Sequence, residues 1–198
     1  MGWARDSRDS ALAPTQGRYQ RVNGEWSFAG DARYVRASYQ FQQYVPLTKQ
    51  YTAAFNAEVG AGSATGDRSY PVFKNYFGGG LGSVRGFEQG SLGPQDVSGS
   101  TVGGTRKLNL NLEVLTPFPG AGNDRTLRMY GFMDAGMVSG DDAGLAINAN
   151  ANNLRASVGV GISWISPVGP LRLAFAKPIR KFDNDRIQSM QFHIGTSF

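Results

Sequence analysis

The chain has 198 residues, a formal net charge of +5, a pI of about 9.6 and no cysteine. Without cysteine it can form no disulfide, no thiolate zinc site and no cysteine nucleophile. Its Lys and Arg residues are spread along the chain and belong to no recognisable nucleic-acid-binding module, so we expect no nucleic-acid partner. No apolar run reaches the length of about 18 residues that a transmembrane helix needs.

Strict alternation of apolar and polar residues is the dominant pattern along the chain. In chain order it predicts strands at 3–9 (partial), 17–29, 33–46, 49–61, 105–117, 125–138, 153–166, 169–179 and 187–198. Most of these segments have about 10–13 residues. Soluble strands typically have about 5–6 residues, whereas a tilted strand that crosses a bilayer needs about 9–11. The lengths therefore favour transmembrane strands.

The polar faces of these strands support the same interpretation. They are rich in Asn, Gln, Ser and Gly with single charges, which is typical of a water-filled barrel lumen. Aromatic residues near the strand ends are candidates for the girdles at the membrane interfaces: Tyr44, Phe118, Trp164 and Phe198. The predicted fold is an all-β, antiparallel transmembrane β-barrel segment with about eight complete strands and a partial one. Patterning alone leaves a soluble β-sandwich or a lipocalin-like barrel as the alternative.

The long connection at about 62–104 contains the most distinctive motif, Gly79–Glu88. A phosphate-binding loop is excluded because no Gly-Lys-Ser/Thr, no G-x-G-x-x-G and no following helix are present. Instead, Gly82 and Gly86 flank Arg85 and allow a tight apex. Arginine presents a planar fork of five donors that suits carboxylates. A loop folded into the lumen could pair Arg85 with acidic residues on two neighbouring strands; the alternative is an arginine in a solvated extracellular loop.

The motif Val84-Arg85-Gly86-Phe87 resembles the VRGF/Y signature of the superfamily that contains BamA-type assembly factors, TamA-type proteins and two-partner-secretion transporters. The likeness runs from about Trp3 to Phe198. It includes further matching segments at Asn75–Gly79, Gly103–Gly104, Asn111–Glu113, Phe132–Gly136, Ser166–Leu171, Ala176–Ile179 and Gln191–Gly195. The Ser-Pro-x-Gly-Pro turn followed by Lys-Pro fits the BamA-type family best.

The resemblance implies that residues 1–198 form the C-terminal half of a sixteen-stranded barrel. A signal peptide, POTRA domains and the first barrel half are then expected outside this sequence, and Met1–Asp6 has no signal-peptide pattern. The family's lumen loop would place Arg85 between Glu113 and Asp134. The residues implied for the seam and for the C-terminal β-signal are Met190, Phe192, Ile194 and Phe198.

The resemblance also implies a function in the bacterial outer membrane. A BamA-type barrel folds and inserts β-barrel proteins without ATP and without a cofactor, and its partners are unfolded outer-membrane proteins, accessory assembly lipoproteins and outer-membrane lipid. The alternatives are a two-partner-secretion or TamA-type translocation pore and a small passive outer-membrane barrel. His193 is the single histidine, and neither a nucleophile context nor a metal-ligand cluster surrounds it in the sequence, so we predict no catalytic residue and no metal site.

Overall fold

A computed structural model describes residues 1–30, 32–66, 69–120, 126–140, 144, 152–167 and 169–195. The strands are β1 (Gly2–Asp6), β2 (Gly17–Ser27), β3 (Tyr34–Pro46), β4 (Thr52–Ala64), β5 (Gly86–Phe87), β6 (Arg106–Pro117), β7 (Leu127–Ser139), β8 (Arg155–Ser166), β9 (Gly169–Arg180), β10 (Ile187–Gln188) and β11 (Met190–Ile194). A 3₁₀ turn spans Val72–Lys74. None of the described helices is long and apolar enough to cross a membrane.

Nine of these strands form one antiparallel sheet in the order β1-β2-β3-β4-β6-β7-β8-β9-β11. The two remaining strands, β5 and β10, pair with each other in a separate two-stranded sheet. Neighbours in the large sheet follow one another along the chain, so every connection joins adjacent strands. The predicted all-β antiparallel barrel segment is confirmed.

The two faces of the sheet have opposite polarity. Asn109 and Asp134 have no exposed surface, although both are polar, whereas Leu112 and Met133 are about half exposed. A soluble sandwich would bury its large apolar side chains between the sheets. Here those side chains point outward, where lipid would cover them, and the polar row points inward. We call these two faces the outward face and the lumen face.

Most predicted strand boundaries differ from the structure by one to three residues, and two differences have a structural reason. β4 continues to Ala64, into the predicted loop at 62–104. Gly60 and Gly62 near its end do not break the strand, because they leave room for aromatic rings. A Cβ atom at Gly60 would lie 2.6 Å from the ring of Tyr76. The predicted strand at 187–198 divides into β10 and β11 at Ser189, and residues 196–198 lie outside the described part of the chain.

The predicted aromatic girdle is only partly correct. Trp164 is 44% exposed on the outward face. Tyr44, in contrast, lies on the lumen face, where it packs against a buried cluster that includes Leu115 and Tyr130. Its position at the end of β3 indicated an interface residue, but strand parity places it on the same side as Gln42. Phe198 lies outside the described residues.

The connection between β4 and β6 covers the lumen face. Its base is closed by a bridge between Tyr76 and Gly104, and the Tyr76 hydroxyl donates a 2.8 Å hydrogen bond to the Ala37 carbonyl on β3. Further along, Val84 and Phe87 are completely buried and pack with Leu92. This connection, which we call the lumen loop, is therefore packed against the strands that surround it.

Candidate functional site

The apex of the lumen loop is a tight turn at 80–88. The Gly80 amide donates to the carbonyls of Val84 and Phe87 at 3.2 and 3.0 Å. Gly86 has φ +89°, a conformation that favours glycine, and a Cβ there would lie 3.1 Å from the Ala176 Cβ atom on β9. Gly82 has an ordinary φ and open space around a Cβ, so the structure gives no steric reason for glycine at that position.

Arg85 extends from this apex into a buried ion cluster. Its Nε and Nη2 atoms donate to the two carboxylate oxygens of Asp134 at 2.7 and 2.6 Å, and its backbone amide donates to the same carboxylate at 3.0 Å. Its Nη1 atom donates to Glu113 at 2.5 Å. Arg85 is 1% exposed and Asp134 is fully buried. The structure thus brings Arg85, Glu113 and Asp134 together rather than leaving the arginine in solvent.

Aromatic rings form the floor of the ion cluster. The Arg85 guanidinium carbon lies 3.7 Å from the centroid of the Phe132 ring. Glycines on β8 make room for such rings: a Cβ at Gly161 would collide with Tyr130. Burial lowers the pKa of Arg85, but the carboxylates of Glu113 and Asp134 raise it by more, so the guanidinium remains charged.

Arg172 on β9 is a member of the cluster that the sequence analysis did not identify. Its Nη2 atom lies 3.1 Å from each carboxylate oxygen of Glu113, and its guanidinium lies over the Tyr130 ring. Two arginines therefore balance two carboxylates, with Glu113 shared between Arg85 and Arg172. The available signal was strand parity, because Arg172 alternates with outward-facing Leu171 and must point into the lumen.

Side-chain amides complete the hydrogen bonding around Asp134. The Asn111 Nδ2 atom donates to Asp134 at 2.8 Å and to the Ser83 carbonyl at 2.6 Å. The Asn109 amide in turn donates to the Asn111 oxygen at 2.8 Å. Asn111 therefore ties the carboxylate and the loop backbone together, which fixes the loop relative to β6.

A second set of contacts joins the loop motif to the end of the chain. Phe87 and Gly86 pair in antiparallel register with Ile187 and Gln188. The Gln191 side chain donates to the Phe87 carbonyl at 2.6 Å and accepts from the Gly86 amide at 3.4 Å. We call these β5·β10 and Gln191 contacts the backbone clamp. Gln191 carries no local sequence signal of this role, because its partner Phe87 lies 104 positions away.

Three of the remaining predicted residues lie on β11, the last described strand. Met190, Phe192 and Ile194 are 57–59% exposed on the outward face, and Phe198 lies outside the described residues. β11 has five residues against twelve in β9, the one strand with which it pairs in the described part of the chain. Up to Gly195, the last residue that the structure describes, it is therefore held by a short ladder.

The described residues contain no group of three or more side chains that could hold a metal ion. His193 pairs across the β11–β9 ladder with Arg172. Arg172 is a cation, so the pair of His193 and Arg172 does not resemble a nucleophile and its base.

Comparison with known proteins gives consistent results. The family model described as the Omp85 superfamily domain matches residues 1–198. The outer membrane protein assembly factor BamA of Neisseria meningitidis serogroup B is 38% identical over all of this chain and 28% of that protein. BamA of Nitratidesulfovibrio vulgaris is 30% identical over 89% of this chain and 22% of that protein. The crystal structure of BamA from Haemophilus ducreyi lacking POTRA domains 1–3 superposes with a TM-score of 0.88 at 29% identity, over 96% of this chain and 40% of that chain.

Proposed function

The chain belongs to the Omp85 superfamily, and we propose that it forms the barrel portion of an outer-membrane protein assembly factor. It lies in the bacterial outer membrane, where it folds and inserts β-barrel proteins. The proposal is supported by the likeness to BamA proteins over the whole chain and by a lumen loop that is fixed to the sheet on two sides.

We further propose that residues 1–198 are the C-terminal half of a sixteen-stranded barrel. The chain spans about a quarter of the length of the BamA relatives it matches, so those proteins have ample length for a first barrel half and for POTRA domains. The nine-stranded sheet also has two edges, β1 and β11, and in a closed sixteen-stranded barrel each edge would lie beside a strand of the first half. In outer-membrane barrels short turns face the periplasm, so the lumen loop lies at the extracellular end.

The observation that carries the mechanism is the five-residue ladder between β11 and β9 in the described part of the chain. An unpaired backbone group in lipid costs several kcal/mol, so an exposed strand edge attracts any chain that can satisfy it. An unfolded client can supply a strand that pairs with the seam beside β11, as in other cases of strand addition. Because the client gains hydrogen bonds as it folds, the reaction needs no ATP, no cofactor and no bond chemistry.

The ion cluster of Arg85, Glu113 and Asp134 has a structural role in this proposal. It fixes the loop apex against β6 and β7, while the backbone clamp fixes the same apex against the start of β11. Unfolded outer-membrane proteins, outer-membrane lipid and accessory assembly lipoproteins are the partners we propose.

The test is reconstitution of the full-length protein in phospholipid vesicles without ATP. A urea-unfolded client barrel is added, and its folding is followed by heat-modifiable gel migration and by protection from external protease. We expect faster client insertion than in vesicles that hold an unrelated passive barrel. Equal rates would contradict the proposal, and delivery of the client into the vesicle interior would indicate a translocation pore instead.

A further inference from the structure

Carboxylates of the large sheet are confined to one of its two faces, whereas cations occur on both faces. The described carboxylates of its strands all point to the lumen face: Asp6, Glu25, Glu58, Glu113 and Asp134. The charges on the outward face are all cationic: Arg5, Arg18, Arg106, Lys177 and Arg180. Alternation alone would distribute both signs over both faces, so the outward face is selectively positive.

Two of the outward cations lie close together at one end of β9. Lys177 pairs with Val158 and Arg180 pairs with Ala156, and cross-strand partners share a face. The register shifts between Ala156 and Ser157, so both cations point outward although three positions separate them. Both are exposed, and neither forms an ion pair with any described carboxylate. With a rise of about 3.4 Å per residue, the two Cα atoms are on the order of 10 Å apart. Two long side chains at that spacing can converge on one anionic group.

This end of β9 also has an open flank. The Ala176 amide donates to the Ser189 carbonyl at 2.8 Å, and the chain before Ser189 turns inward to pair with the lumen loop. Beyond that level β9 has no strand on its seam side within the described residues. The next position that would offer an N–H to that side is Pro178, which has none, as is typical of edge strands. A ligand can therefore approach Lys177 and Arg180 from the front and from the side.

The surroundings determine the kind of ligand. Below the two cations the outward face is apolar, with Phe175 49% exposed and Met190 57% exposed, and it faces lipid tails. A charged side chain there extends towards the headgroup layer and is stabilised by an anion. Arginine binds phosphate oxygens with two parallel hydrogen bonds, and lysine binds them as a point charge. By the orientation proposed above, this is the extracellular end, so the ligand is a lipid of the outer leaflet.

We propose that Lys177 and Arg180 form a binding site for a phosphorylated lipid headgroup beside the last strand. A lipid held there covers the flank that β11 leaves open at the level of Pro178. The site rests on the membrane location and orientation proposed above and does not require the client-folding role.

The test measures lipid binding by native mass spectrometry of the full-length protein in detergent. It is titrated with bisphosphorylated lipid A, with dephosphorylated lipid A and with inorganic phosphate. We expect the phosphorylated lipid to bind and the other two to bind weakly. The double variant Lys177→Gln/Arg180→Gln should lose about fivefold in affinity for each cation, on the order of 30-fold in all.

The matched control is Arg21→Gln/Lys49→Gln, which also replaces one arginine and one lysine by glutamine. Arg21 lies on the lumen face and Lys49 lies in the turn after β3. It should bind the phosphorylated lipid like the unchanged protein. An equal loss in both double variants, no loss in either, or equal binding of the dephosphorylated lipid would overturn the proposal. Client folding is measured in parallel in vesicles without phosphorylated lipid A, where both double variants should be active. A protein that binds the lipid but folds no client would refute the proposed function alone.

Discussion

Replacing Arg85 with alanine is the most direct test of the buried ion cluster. The change removes all three side-chain hydrogen bonds of the arginine, two to Asp134 and one to Glu113. Removing one partner of a buried ion pair typically costs about 3–5 kcal/mol, because the other charge is left uncompensated. Here Glu113 keeps Arg172, and Asp134 keeps the amide of Asn111. We therefore expect a loss of about 3 kcal/mol in the free energy of unfolding, near the lower end of that range.

The measurement is denaturant-induced unfolding of the full-length protein in detergent, together with heat-modifiable migration of the barrel. Arg85→Lys serves as one control, because it keeps the charge and loses the planar fork, and it should give an intermediate loss. The double variant Arg85→Ala/Asp134→Asn should be more stable than Arg85→Ala alone, since it removes the uncompensated charge. A change of less than about 0.5 kcal/mol in the free energy of unfolding for Arg85→Ala, the usual range for a surface substitution, would show that the ion cluster does not stabilise the barrel.

Three further variants test neighbouring features. Arg172→Gln should lower the unfolding free energy by about 1.5–3 kcal/mol, as for a lost hydrogen bond to a charge, and melting that is unchanged would exclude its role. Phe192→Pro removes an N–H from the free edge of β11 and should slow client folding in vesicles. His193→Pro breaks the ladder to β9 and should instead lower heat stability. The reverse pattern would contradict the observed strand register. Gly86→Ala should cost about 1–3 kcal/mol in unfolding experiments, while Gly82→Ala, with an ordinary φ, should be nearly neutral.

Local alternation made most of the sheet predictable. In 105–117 each residue's face follows from its parity, and the structure places Asn109 inward and Leu112 outward as the pattern requires. The end of β4 was not predictable in this way, because Gly62 resembles a loop residue. Gly62 leaves space for the ring of Tyr70, which reaches this position only when the loop folds back over the strand.

The candidate site was predictable only where two signals coincided. Arg85 stood out by its glycine-flanked position, and the acidic residues of the next two strands stood out on polar faces. Arg172 and Gln191 carried no such local signal, because each is an ordinary polar residue in an alternating strand. Their importance comes from partners on distant elements, and the fold of the sheet and the lumen loop brings those partners together.

The contacts of the last strand are unequal along its length. At its start, Gln191 and the β5·β10 pairing attach it to a loop apex that the ion cluster already fixes. At its far end the described contacts are the ladder to β9, which closes with the Gly195 amide donating to the Pro170 carbonyl at 2.8 Å. That far end lies with the short turns, which is the periplasmic end in the proposed orientation. Separation of β11 from β9 should therefore begin there, where clients arrive. Amide hydrogen exchange should be faster at His193 and Gly195 than at Gln191, and the opposite order would show that the clamp does not hold the strand.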